Sequence, residues 1–280
     1  MQSRNRASLI GAGAIVLWAT LALLTAASGA APPFEMAGLT FFVGGAVGLG
    51  YAVARGRLAL LWQPWPVWAV GVGGLFGYHA LYFAALRAAP PAQASLVAYL
   101  WPLLIVLFSA LLPGERLYAR HVAGAALGFG GAALLIGAGG ADAPPGWGLL
   151  LAVGCAFVWS GYSLASRLLR ETPTEAVAGF CLATSALAWA CHFVFEATVW
   201  PTRASEIAAI LALGVGPVGL AFYLWDYGVK RGDIRLLGVG AYAAPALSTI
   251  LLVAAGYAPA TATLGLACAA IVGGAVIASV

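Results

Sequence analysis

"SLVAYLWPLLIVLF", residues 95–108, is apolar enough for a membrane span yet carries a proline near its centre. Proline has no N–H to donate and costs a helix interior about 3 kcal/mol, so its placement needs a physical reason. "VGAYAAPALSTILL" (239–252) repeats the arrangement. A shift of 143 residues lays Ala98 on Ala241, Tyr99 on Tyr242, Pro102 on Pro245 and Leu104 on Leu247. The same shift lays Gly73 on Gly216 and Gly130–Gly131 on Gly273–Gly274. With a small local slip, "AIVLW" (14–18) matches "AFVW" (156–159) and sets Trp18 opposite Trp159. The chain reads as two copies of one unit, over 1–140 and 141–280.

Composition decides the solvent. Of 280 residues, 63% are hydrophobic and 8% charged, against about 25% charged in a soluble domain. A mean hydropathy of +0.97 places the chain in a bilayer. The apolar runs are continuous rather than alternating, which argues against a β-barrel. The 37 glycines sit inside those runs, where small residues let membrane helices approach closely. Cys155, Cys181, Cys191 and Cys268 stand singly in apolar runs and read as small hydrophobes. The three histidines have no metal-ligand spacing. No metal, cofactor or nucleic acid is expected, and a net charge of +4 reflects loop charges set by membrane orientation.

Runs of about 20 apolar residues predict an all-α polytopic membrane protein with ten transmembrane helices. They lie near 8–27, 34–54, 66–86, 92–112, 119–138, 147–167, 174–195, 206–228, 235–255 and 260–279. Breakers separate several of them: "APP" at 31–33 and 89–91, "DAPPG" at 142–146 and "YAP" at 257–259. Ten alternating spans put Arg4, Arg6, Arg55, Arg57, Arg116, Arg120, Arg167, Arg170, Lys230, Arg231 and Arg235 on one side. Only Arg87 and Arg203 fall on the other. Basic flanks stay cytoplasmic, so both termini are expected inside. Arg4, Arg6 and "AASGA" (26–30) imitate a signal peptide, but cleavage there would leave the sixth span without its repeat partner.

Five spans per copy is an odd number, so the second copy must enter the membrane upside down. Two inverted five-helix repeats are a mark of secondary transporters, whose sites lie near the midplane where the repeats meet. Pro102 and Pro245 free the carbonyls of Ala98 and Ala241. Such groups are tolerated only inside protein or beside a wet cavity. Both prolines are candidate hinges, with kinks that merely improve packing as the other reading.

Depth then selects site residues. Tyr78, His79 and Tyr82 share a broad face of the third span, and Tyr99 and Trp101 flank Pro102. Trp18, Trp159, Trp225 and Tyr242 complete a candidate aromatic wall around a substrate. Trp62, Trp65, Trp68 and Trp200 lie near loops and read as interfacial belt residues. His79 is open to three roles: a buried neutral bond, a substrate contact or a proton carrier. Asp226 reads as a local i,i+4 partner of Lys230, or as an acid that attracts a cationic group if it faces the cavity. Glu115, in "PGERL", reads as a turn residue.

"AIVLWAT" (14–20), "VAYLWPLLIVLFSALLPGERL" (97–117), "FYLWDYGVKRGD" (222–233) and "VGAYAAPALS" (239–248) resemble the drug/metabolite transporter superfamily over essentially the whole chain. The paired halves look like EamA-type repeats, and the "YLWP" stretch with the first-span Trp is similar to the YddG-like aromatic amino-acid exporters. Members often carry Ser after that Trp, where this chain has Ala19 and then Thr20. The resemblance implies a monomeric inner-membrane carrier, partnered by the lipid bilayer and a small-molecule substrate. That substrate would be an amino acid or related metabolite. A multidrug exporter of aromatic or quaternary cations is the alternative. An intramembrane Ser–His enzyme built on "WSGYS" (159–163) and His79 lacks any nucleophile motif. No G-x-x-x-x-G-K-[ST] stretch is present for ATP.

Overall fold

The structure, a computed structural model, describes residues 2–137, 147–256 and 260–279. The "DAPPG" and "YAP" breakers and the 140/141 boundary lie outside the described residues. Within them the chain is helical, with no strand. The helices are α1 (Gln2–Ala19), α2 (Leu21–Ala27), α3 (Pro33–Ala54), α4 (Trp65–Ala88), α5 (Pro91–Ala98), α6 (Trp101–Phe108) and α7 (Ala119–Gly137). They continue as α8 (Gly148–Leu168), α9 (Ala176–Phe195), α10 (Ala204–Val215), α11 (Ala221–Arg231), α12 (Ile234–Gly240), α13 (Ala243–Ala254) and α14 (Ala262–Ser279).

Among the described residues, eight helical stretches are long and apolar enough to cross a membrane. Four of them are discontinuous. α1 and α2 break at Thr20, and α5 and α6 break at Tyr99–Leu100. α10 and α11 are joined by a π-helical turn, Gly216–Leu220, and α12 and α13 break at Ala241–Tyr242. The expected kink in the fourth and ninth spans is thus a two-residue turn between two half-helices, with hydrogen bonds such as Leu100 N–H to Val97 and Tyr242 N–H to Val239 running across it. Pro102 sits in the first turn of α6 and Pro245 in the first turn of α13. The first N–H groups of a helix have no internal partner, so proline costs little there. That answers the question its position raised. The break at Thr20 and the π turn were not foreseen, although Pro217 inside "GVGPVG" (214–219) was a legible signal.

Packing follows small residues. The most extensive pairs are α7 with α14, α3 with α9, α4 with α8 and α1 with α11. α1 and α11 touch backbone to backbone: a Cβ on Gly228 would fall 2.5 Å from the Cα of Gly11. α7 and α14 do the same, with a Cβ on Gly124 falling 2.4 Å from the carbonyl oxygen of Gly274. Without a hydrophobic drive between helices in lipid, such close van der Waals approach is what holds them.

The outer surface is apolar, with Leu9, Phe193 and Val194 exposed, as a lipid-facing surface requires. Trp62, Trp65 and Trp200 are exposed as belt residues should be. Trp68 departs from that reading. Its ring packs edge-on to Phe180, 5.4 Å away, and fills the space left by Gly179. Cys155 and Cys181 are buried free thiols, consistent with their reading as small hydrophobes.

Replacing Gly228 with leucine should separate α1 from α11, because the obstacle is backbone that no rotamer change can clear. Overpacking of this kind costs about 1–3 kcal/mol, readable as a lower melting temperature in detergent. An unchanged melting temperature would show that the Gly11–Gly228 contact is not a stability determinant.

Candidate functional site

A cavity of about 650 Å³ opens between α1, α2, α3, α4, α11 and α13, a size typical of small-molecule sites. Its floor is a knot of indoles. Trp18 lies 6.2 Å from Trp101, 5.7 Å from Trp159 and 5.1 Å from Trp225, ring centre to ring centre. The Trp18 N–H donates to the Pro217 carbonyl at 3.1 Å, tying the end of α1 to the π turn. That turn therefore both displaces the α10–α11 axis and orients the central ring.

On α4, Tyr78 and Tyr82 stack at 5.9 Å, one helical turn apart. The Tyr82 hydroxyl is 2.8 Å from the Ser95 hydroxyl on α5. His79 Nδ1 lies 2.7 Å from the Leu75 carbonyl. A carbonyl only accepts, so Nδ1 carries the proton, and Nε2 is left as an open acceptor on a ring that lines the cavity. Phe41 meets the His79 ring edge-on at 4.9 Å and stacks flat on Phe222 at 5.5 Å.

Of the residues singled out from sequence, Trp18, Tyr78, His79, Tyr82, Tyr99, Trp101 and Trp159 all line this cavity. Trp225 and Tyr242 are not among its lining residues. Trp225 is fully buried behind the wall, donating to Ser163 at 3.0 Å and bracing Trp18 and Trp101 from below. Tyr242 packs into a separate cluster against Gly128 and Phe129. The prolines also part company. Pro245 lines the cavity, whereas Pro102 is buried with its carbonyl against Gly238 of α12. Asp226 is absent from the wall. It pairs with Lys230 at 2.8 Å and accepts from Thr174 at 2.7 Å, as the i,i+4 reading expected.

Sequence reasoning missed Phe41, Phe83, Phe222, Thr40, Ser248 and Thr249, which are also among the lining residues. Ser248 and Thr249 follow Pro245 by three and four residues, a helical spacing that was readable. The phenylalanines carry no polar tip to mark them out from core packing.

The cavity runs to one end of the molecule, past Thr25, Ser28, Ala31 and Pro33. Towards the other end the chain is cross-linked by charge. Glu115, 5% exposed, pairs with Arg4 at 3.1 Å, Arg167 at 2.9 Å and Arg235 at 3.2 Å. Arg235 also donates to the Arg116 carbonyl. Glu115 is thus the centre of an ion cluster rather than a simple turn residue. Asp233 caps α12 there, and its carboxyl stays below the usual range: partial burial opposes ionisation, but Arg235, Arg4 and the Leu236 N–H outweigh it.

Comparison with known proteins fits this geometry. The chain is 60% identical, over 99% of its length and 98% of the relative's, to the aromatic amino acid exporter YddG of Ancylobacter novellus. It is 26% identical, over 89% of its length and 88% of the relative's, to the exporter of the same name in Escherichia coli. A solved crystal structure at 60% identity superposes with a TM-score of 0.95, covering 99% of this chain and 98% of the other. The model of the EamA-like transporter family matches twice, at residues 5–137 and 146–280. With two successive matches that take in nearly every residue, this multi-pass membrane protein belongs to the EamA-like transporter family.

Proposed function

We propose that the chain exports aromatic and other apolar amino acids across the bacterial inner membrane, working by alternating access as a monomer. The observation that carries this reading is the one-ended cavity. Aromatic rings line its inner part down to the indole floor, while the far end is tied shut by the Glu115 cluster. The Glu115 end holds Arg4, Arg167 and Arg235, members of the basic majority, so the positive-inside rule makes it cytoplasmic. Both termini are then inside, and the described conformation is open to the outside.

Ten spans in two inverted halves, 1–140 and 141–280, are supported by the packing itself. Counting spans, α1 on α11 joins the first to the eighth and α4 on α8 joins the third to the sixth. Exchanging the halves turns one pair into the other. The pairs α3–α9, α7–α14 and α6–α12 each join a span to its own counterpart: the second to the seventh, the fifth to the tenth and the fourth to the ninth. This is the pattern expected of a pseudo-two-fold relation.

In the cavity, Trp18, Trp101 and Trp159 offer faces and edges to an aromatic side chain. The Tyr78, Tyr82 and Tyr99 hydroxyls can donate to a carboxylate, and His79 Nε2 can accept from an ammonium group. No acidic residue is among those lining the cavity. A cationic drug would find no counter-charge there, which favours a zwitterion over the multidrug alternative. Uptake of labelled phenylalanine or tryptophan into preloaded proteoliposomes tests the whole reading. Absence of exchange above empty vesicles would end it.

Alanine at Trp18 or Trp159 should raise the apparent half-saturation concentration several-fold, since a lost ring contact is worth about 0.5–1.5 kcal/mol beyond its area. Variants that insert normally and keep wild-type affinity would remove the indoles from the site.

His79→Gln keeps an acceptor and should retain partial exchange with no new pH dependence. If uptake is tightly driven by an imposed pH gradient and that coupling vanishes in the variant, His79 is a proton carrier instead.

Pro245→Ala should slow exchange more than it changes affinity, and more than Pro102→Ala does, because only Pro245 borders the cavity. Unchanged rates in both would leave the prolines a packing role alone.

A further inference from the structure

Between α3 and α11 lies a second space, a groove of about 760 Å³ that shares no lining residue with the central cavity. Val47 of α3, Val215 of α10 and Leu220 of the π turn form its walls and are exposed on the outer, lipid-facing surface. Tyr223 backs it, donating its hydroxyl to the Gly44 carbonyl at 3.2 Å. Gly44 is the lining residue furthest along α3 from Arg57. There α3 and the π turn touch backbone to backbone, since a Cβ on Gly44 would fall 2.7 Å from the Gly219 Cα.

The opposite end, the rim, is basic. Arg57 follows α3, Arg170 follows α8 and Arg231 ends α11, and all three line the groove. Arg57 pairs with Glu175 at 2.8 Å. Arg170 lies 3.4 Å from Glu171, but their side chains are 71% and 93% exposed, and an ion pair so open contributes little. Arg231 has no carboxylate at ion-pair distance among the described residues, and its guanidinium lies over the Tyr227 ring at 5.2 Å. Arg55 stands in the same way over Tyr51, a lining residue, at 5.6 Å. Asp226 is committed to Lys230 and Thr174. The rim therefore sets four guanidinium groups against two carboxylates.

We propose that this groove binds one anionic phospholipid of the cytoplasmic leaflet, with its phosphate at Arg170 and Arg231 and an acyl chain along Val47, Val215 and Leu220. Both parts of the groove enter the assignment. A free phosphate would meet the rim and leave the apolar wall unused, and a zwitterionic lipid would bring a cation to a rim already in excess of cations. The depth also fits. From Gly44 to Ala54, the last residue of α3, is ten positions, about 15 Å along a helix. That is one leaflet's share of a hydrocarbon core about 30 Å thick. Basic clusters beside the ends of membrane helices attract the anionic lipids of the cytoplasmic leaflet. The choice of leaflet rests on the orientation argued above, and the choice of lipid does not.

The groove and the cavity share one structural element. Gly219 and Leu220 of the π turn border the groove, whereas Pro217 and Val218 border the cavity. The Pro217 carbonyl is the acceptor for the Trp18 N–H. A chain seated against Leu220 therefore braces, from the lipid side, the turn that orients the central indole.

Native mass spectrometry of the detergent-purified protein tests the site without any transport assay, so failure of the exporter reading would leave the test intact. The probes are phosphatidylglycerol and phosphatidylcholine with identical acyl chains, and glycerol 3-phosphate as the headgroup alone. Wild type should retain phosphatidylglycerol several-fold more than either of the others. The double variant Arg170→Gln, Arg231→Gln should lose that preference, and Arg57 is kept because Glu175 pairs with it. Both substituted side chains are exposed. If the double variant does not fold, wild type and a phosphatidylglycerol with a photoreactive acyl chain replace it, with crosslinks expected on peptides carrying Val47, Val215 or Leu220. Equal retention of the two lipids, a preference that survives in the double variant, glycerol 3-phosphate held as well as phosphatidylglycerol, or crosslinks confined to other helices would each overturn the proposal.

Discussion

Hydrocarbon cannot hydrogen-bond, so every backbone group freed by a helix break must be satisfied by protein or by trapped water. The rest of the structure depends on this constraint. The four discontinuous stretches all border the central cavity, and their loose ends are met locally. Thr20 returns its hydroxyl to the Leu17 carbonyl at 2.7 Å, Trp18 takes the Pro217 carbonyl, and the Ala244 N–H donates to the Ala241 carbonyl at 3.1 Å. The unbroken helices α3, α7, α9 and α14 pack as pairs and need no such repair. Breaks and cavity are therefore two aspects of one arrangement.

Two buried carboxylates hold the ends of the bundle. Glu115 belongs to the first half of the chain and is gripped by Arg167 and Arg235 from the second. Glu196 belongs to the second half and is gripped by Arg87 and the α3 N-terminus from the first. Each pairing leaves an anion stranded if its partners withdraw, so each end resists separation by the cost of a buried charge. The clusters differ in composition. Glu115 meets only guanidinium groups, whereas Glu196 meets one guanidinium, an imidazole and backbone donors.

Aromatic residues divide by what lies behind them. Trp18 is at once wall and hub: one face borders the cavity and its edge contacts three other indoles. Trp225, equally large and equally deep in its run, is wholly enclosed by that hub and by Ser163. Removing it would collapse the floor rather than expose a ligand contact. Phe41 and Phe222 show the converse, since apolar rings at unmarked positions form a stacked pair on the wall.

The solvent, the apolar runs and the doubling of the unit were legible before any folding, because each depends on composition and spacing along one chain. The sequence also marked Tyr78, His79, Tyr82, Tyr99 and Trp101 as wall residues, since polar-tipped rings deep in an apolar run need an interior to face. Which of two positions matched between the repeats reaches the cavity depends on packing across the chain. Pro102 and Pro245, or Tyr99 and Tyr242, look alike in sequence, but only Pro245 and Tyr99 border the cavity. Tertiary packing also brought Glu35 to His192 and Glu115 to three arginines. Such clusters join residues between 52 and 157 positions apart, and no periodicity within one helix records what the opposite helix carries.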